Sequence, residues 1–148
     1  MKLESHEIKT IRFEMFRTLF NDHPEYRKDP KIVMYAVMQD GGNLQFADEG
    51  LRKNFDIVME AVKNKGEAIM FADPTLKADP KIVMAAIQQS GWAIQYTPFK
   101  NDINFVMAAL AQINFDPEWS NMYGPNDPIF AQVHERMQAM GVGTGARH

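Results

Sequence analysis

The apolar residues of this chain do not alternate; they fall at helical spacing, and the same pattern occurs four times. The run Asp29-Pro-Lys-Ile-Val-Met-Tyr-Ala-Val comes back as Asn54-Phe-Asp-Ile-Val-Met-Glu-Ala-Val, as Asp79-Pro-Lys-Ile-Val-Met-Ala-Ala-Ile and as Asp102-Ile-Asn-Phe-Val-Met-Ala-Ala-Leu. The starts at 29, 54, 79 and 102 predict units of about 25 residues. Gly41, Gly66 and Gly91 stay in register, as do Leu44, Ile69 and Ile94, then Phe46, Phe71 and Tyr96. Leu51 and Leu76 correspond, and Phe99 takes that role if the third unit is two residues shorter.

Each unit reads as a helix, a glycine break, a shorter helix and a turn. Asp29, Asn54, Asp79 and Asp102 stand where a side-chain oxygen accepts from the first free amides of a helix. Pro30 and Pro80 follow at the first helical position, where a missing N–H costs nothing, and Asp127-Pro128 repeats the device. The glycines are expected to end each first helix in a left-handed conformation. Residues Asn43–Ala47, Ala68–Ala72 and Ala93–Thr97 then form one or two helical turns. A strand reading fails for want of alternation and of β-branched residues.

On the first helix of each unit the apolar positions cover about 200° of the helical wheel, the broad stripe of a helix held between neighbours. Ala36, Ala61, Ala86 and Ala109 suit a point of close helix–helix approach, and Met34, Met59, Met84 and Met107 fill the adjoining space. The expected fold is all-α: short tandem helical repeats over 29–113, stacked as a small solenoid with a capping helix at each end, in one domain over 1–140. The caps are an amphipathic helix over 5–20 and a closing helix over 127–140. Tyr35 and Met38 replace the Glu60 and Lys63 of the second unit and are expected to lie under the first cap. Residues 114–126 form a long connection, and 141–148 a flexible tail.

The repeat resembles the family catalogued as domain of unknown function 4116, over about residues 29–113. The resemblance rests on the aspartate openers, the Ile-Val-Met-x-Ala-Val core, the mid-unit glycine, the Leu/Ile-x-aromatic-Ala segment and the closing leucine. The fourth unit lacks the glycine half. The resemblance implies the helical fold and brings no activity and no catalytic signature.

Composition narrows the chemistry. A chain of 148 residues, 45% hydrophobic, buries enough surface for a real core. A net charge of −3 argues against nucleic acid and against a polybasic membrane patch. The absence of cysteine excludes disulfides, iron–sulfur clusters and a thiol nucleophile. The longest apolar runs, Ile32–Met38 and Phe105–Ala111, are far short of the roughly 20 residues that span a bilayer. The N-terminus is charged where a signal peptide is apolar, so a cytoplasmic location is expected.

No catalytic, cofactor or metal site is expected. His6, His23, His134 and His148 lack partners at ligand spacing. The recurrent aspartates are explained as caps, and Asp48, Glu49 and Asp73 as solvated turn residues. The stretch from Gly141 to Gly145 has no strand before it and no helix after it, so it is not a phosphate loop. What remains is a non-catalytic interaction or scaffold module that binds a protein partner or another copy of itself. Its divergent positions are Tyr35/Glu60/Ala85, Met38/Lys63/Gln88, Gly42/Glu67/Trp92 and Gln45/Met70/Gln95. Trp92, Gln88, Gln95 and Met70 are the candidate contact residues. Trp119 and Tyr123 are secondary candidates, whose other reading is a plug folded over the last unit. The alternative is a small-molecule-binding or enzymatic helical domain with a pocket near 114–126.

Overall fold

The computed structural model describes residues 15–141, and within them the chain is helical, with no strand. The α-helices are α1 (Phe16–Asp22), α2 (Pro30–Gln39), α3 (Phe55–Asn64), α4 (Pro80–Gln89), α5 (Ile103–Gln112) and α6 (Ile129–Ala139). A single further turn spans Pro74–Lys77. No described helix is long and apolar enough to cross a membrane.

The predicted caps form. Asp29 and Asp79 each accept from the amides two and three residues on, Asn54 accepts from Ile57, and Asp102 from Asn104. Asp127 accepts from the Ile129 amide at 2.9 Å and so opens α6.

Three glycine-led 3-10 helices, Gly41–Phe46, Gly66–Phe71 and Gly91–Tyr96, follow α2, α3 and α4. The glycines therefore open the second helix of each unit and do not end the first. Nor are they left-handed: among the described residues the one glycine with positive φ is Gly141, at 73°. The first helices end instead in extended backbone at Asp40, Lys65 and Ser90. What demands glycine is proximity. A Cβ on Gly41, Gly66 or Gly91 would collide with the carbonyl oxygen of Ala61, Ala86 or Ala109, the small residue of the next unit's first helix. The glycine and alanine positions are thus two sides of one contact. It is tied further by side-chain amides, since the Gly41 N–H donates to Asn64 Oδ1 at 2.7 Å and the Gly66 N–H to Gln89 Oε1.

Helix α2 packs on α3, α3 on α4, and α4 on α5, while the three 3-10 helices pack on one another in a second row. The core lies between the rows. Ile32, Val33, Ala36 and Val37 are fully buried, as are Val58, Ala61, Val62 and Ile82, Val83, Ala86, Ile87, facing Leu44, Ile69 and Ile94. These positions subtend about 140° of the wheel, narrower than the 200° expected. The methionines that make up the difference sit at the edge: Met34 and Met59 are half-buried against the core and Met107 is buried.

One backbone bond ties the closing turn of a unit to the end of the segment before that unit. The Asp48 N–H donates to the Arg27 carbonyl and the Asp73 N–H to that of Arg52. In the third unit Pro98 stands where that amide is needed and has no N–H. There the Thr97 hydroxyl donates to the Ile94 carbonyl and accepts from the Phe99 amide.

At the first end, Phe16 and Phe20 of α1 are fully buried, and Phe20 stacks on Phe46 with centroids 5.9 Å apart. Residues 5–14 of the expected helix lie outside the described residues. Tyr35 is half-buried against the core, but Met38 is 53% exposed. The expectation that both are covered is corrected for Met38. Its position lies outside the buried arc, and its counterparts Lys63, Gln88 and Ala111 are exposed too. At the other end α6 packs Ile129, Val133 and Met137 inward next to α5. Asn114 and Phe115, both with φ of 54°, turn the chain away after α5, and the Phe115 N–H closes on the Leu110 carbonyl. Residues 142–148 of the expected tail lie outside the described residues.

Candidate interaction face

A 3-10 helix has three residues per turn, so side chains three apart eclipse each other. Gly42 and Gln45, Glu67 and Met70, and Trp92 and Gln95 therefore share one face of their helices. Because these helices pack side by side, the face carries two rows across the molecule: Gly42, Glu67, Trp92, and Gln45, Met70, Gln95. Met70 is 42% exposed. Trp92 is half-buried, yet it is not among the side chains packed against the core in the described residues. Gln95 is exposed and its amide donates to the Trp92 carbonyl at 3.1 Å, as that of Gln45 does to Gly42 at 2.9 Å. The glutamines brace their own turns, while Met70 projects without such a bond. Gln88 is exposed but belongs to α4, in a row with Met38 and Lys63. The structure brings Met70, Trp92 and Gln95 together and sets Gln88 on the other layer.

Sequence reasoning missed an open cleft of about 340 Å³ at the first end of this face, where Gly42 and Phe46 meet Arg17, Asp40 and Lys65. The signal for it was the glycine at a position that is glutamate and tryptophan in the next units. Smaller clefts lie between α5 and α6, around Ile103 and Arg136, and beside Arg52, Phe71 and Asp73.

Trp119 and Tyr123 sit inward. The Trp119 ring lies 5.3 Å from that of Phe130 and meets Tyr123 edge-on at 5.7 Å, and all three pack against the core. The 3-10 helix Pro117–Met122 carries Trp119. The Tyr123 hydroxyl donates to the Lys100 carbonyl, and the Lys100 ammonium lies over the ring at 5.1 Å. The Asn101 amide holds the Asp127 carboxylate at 3.1 and 3.2 Å. These rings fill the space under the connection.

Burial, with the charge of Asp127 behind it, pushes the Tyr123 hydroxyl up to about 12. An exposed tyrosine titrates near 10, so between those values the folded protein keeps a proton that the unfolded chain has lost. Tyr123→Phe is expected to cost about 1 kcal/mol at neutral pH. The wild-type advantage is whole below about pH 10 and fades as the pH climbs toward 12. Urea titrations of both proteins at several alkaline pH values measure this.

Several titratable groups elsewhere serve local structure. Thr75 holds the Asp73 carboxyl below its usual range through its hydroxyl and amide, and Asp48 accepts from Gly50. A backbone hydrogen bond lowers Glu25, which pairs with His23 at 3.4 Å. The His134 ring contacts Gln138. His6 and His148 lie outside the described residues. Among the described residues no three histidine, aspartate or glutamate side chains gather as a metal site would require.

The model of a family described as a domain of unknown function (DUF4116) matches residues 29–77 and 79–114. Neither the curated proteins nor the solved structures contain a significant match.

Proposed function

From the premise that this chain belongs to the DUF4116 family of domains of unknown function, we propose that it is a small solenoid of about 25-residue units, closed at both ends by helices, acting as a non-catalytic protein-interaction module. The 3-10 layer is its contact face, the cytoplasm its place of work, and a protein its partner rather than nucleic acid or a membrane. One observation carries the reading. Trp92 stands partly exposed and is not among the side chains packed against the core in the described residues, at a position that is Gly42 and Glu67 in the other units, on the same layer as an exposed Met70. Tryptophan is among the residue types most enriched at interface hot spots, and repeat arrays keep core positions constant while their exposed rows diverge.

The test is affinity capture with wild-type protein and the Trp92→Ala and Met70→Lys variants, with thermal melts run alongside. Partners retained by wild type should bind at least tenfold more weakly to Trp92→Ala, a loss of about 1.4 kcal/mol or more, while the melting temperature stays put. A collapse of the melting temperature would place Trp92 in the core and remove the basis of the reading.

A further inference from the structure

The junctions between successive units differ on this face where the repeat would make them match. Between the second and third units, Glu67 Oε1 accepts a hydrogen bond of 2.7 Å from the Ser90 hydroxyl. One unit earlier the same two positions are Gly42 and Lys65. There the acidic side chain is missing, and the residue that would receive it is a cation. Lys65 Nζ lies 3.9 Å from the point where a Cβ on Gly42 would be. The cleft opens at that gap, with Arg17, Lys65 and Phe46 in its lining. Neither cation forms an ion pair with a described carboxylate. The one carboxylate in the lining, Asp40, already accepts from the Gly42 N–H at 2.8 Å.

We propose that this cleft takes the carboxylate of an acidic side chain on the partner, filling in trans the place that Glu67 fills in cis one unit along. The inference rests on the 3-10 layer being the contact face. It also fixes a spacing. Packed helices lie about 8–10 Å apart, and an extended chain advances about 3.3 Å per residue. The cleft and Trp92, two units apart, are therefore spanned by about six residues of extended peptide. The recognised segment carries Asp or Glu at one end and an apolar residue against Met70 and Trp92 at the other.

Selection of a random peptide library on the full-length chain tests this. The best binder, and its counterpart with the acidic residue changed to the amide, are titrated against wild type, Lys65→Met and Gly42→Glu. Circular dichroism melts check that each variant folds. Gly42→Glu supplies the carboxylate in cis; the nearest atom to its Cβ is a side-chain oxygen, Asp40 Oδ1, at 3.1 Å. Amidation should weaken binding to wild type about fivefold, the scale of an exposed ion pair, and should weaken it clearly less against Lys65→Met, which keeps Arg17, and against Gly42→Glu. An equal loss on all three proteins overturns the proposal. So do binders that lack an acidic residue yet are lost on Trp92→Ala, although these leave the contact face standing. If no binder depends on Trp92, both the face and this inference fall.

Discussion

Gly66→Ala adds one methyl group and is expected to cost about 3 kcal/mol, the upper part of the range for overpacking. The new Cβ would meet the Ala86 carbonyl oxygen, and the Ser90 amide nitrogen and Cβ at 3.1 Å. These are backbone atoms and the root of a side chain, so no rotamer change makes room; α4 must move as a body. That shift would also pull apart the Gly66 bond to Gln89 and the Glu67 bond to Ser90. Gly50→Ala is the control. Its Cβ would meet only Asp48 Oδ2, at 3.5 Å, and its φ is not positive, so reduced freedom in the unfolded chain should stabilise it by about 0.5 kcal/mol. Urea midpoints at unchanged m separate the two. Equal behaviour would mean that the units do not touch at these glycines.

This contrast also marks what the sequence could and could not say. The four openings, the caps and the core positions were legible because each is local: Asp29 caps α2 with its own neighbours, and Ile32, Val33, Ala36 and Val37 share one side of a single helix. The reason for glycine was not legible. A left-handed cap and a close backbone approach both leave glycine in the sequence, and only the distance to Ala61, Ala86 or Ala109 in the next unit separates them. Distances between units are not written along the chain.

The same limit shaped the reading of the contact face. The divergent rows through Trp92 and Met70 follow from register alone. That Gln95 turns its amide back onto the Trp92 carbonyl does not, nor that Gln88 lies on the other layer. Still less could register pair Gly42 with Lys65 and Arg17, which come from three different elements and meet only across a junction. Met38 shows the opposite error. An apolar residue where the next two units carry Lys63 and Gln88 suggests cover, whereas single exposed hydrophobic residues are ordinary on protein surfaces.

Phe20→Ala should cost about 3–5 kcal/mol, the usual range for removing a buried aromatic ring, and how the loss is distributed bears on the proposed architecture. Phe20 is fully buried between Phe16 and Phe46, with centroids at 6.1 and 5.9 Å, and its carbonyl accepts from Arg27 Nε at 3.1 Å. It is the main apolar seal that α1 offers to the first unit. In a solenoid each unit is coupled chiefly to its neighbours, so an end seal that fails should fray the adjoining unit while distant units hold. In a globule with one cooperative core the loss would spread evenly. Two equivalent amides report the difference, because Asp40 N–H donates to the Ala36 carbonyl and Ser90 N–H to that of Ala86, at 3.0 and 2.8 Å. In Phe20→Ala, hydrogen exchange at Asp40 should accelerate at least about tenfold more than at Ser90, reflecting local opening of one end. Equal acceleration at both would count against stacked, nearest-neighbour units and in favour of a single indivisible core.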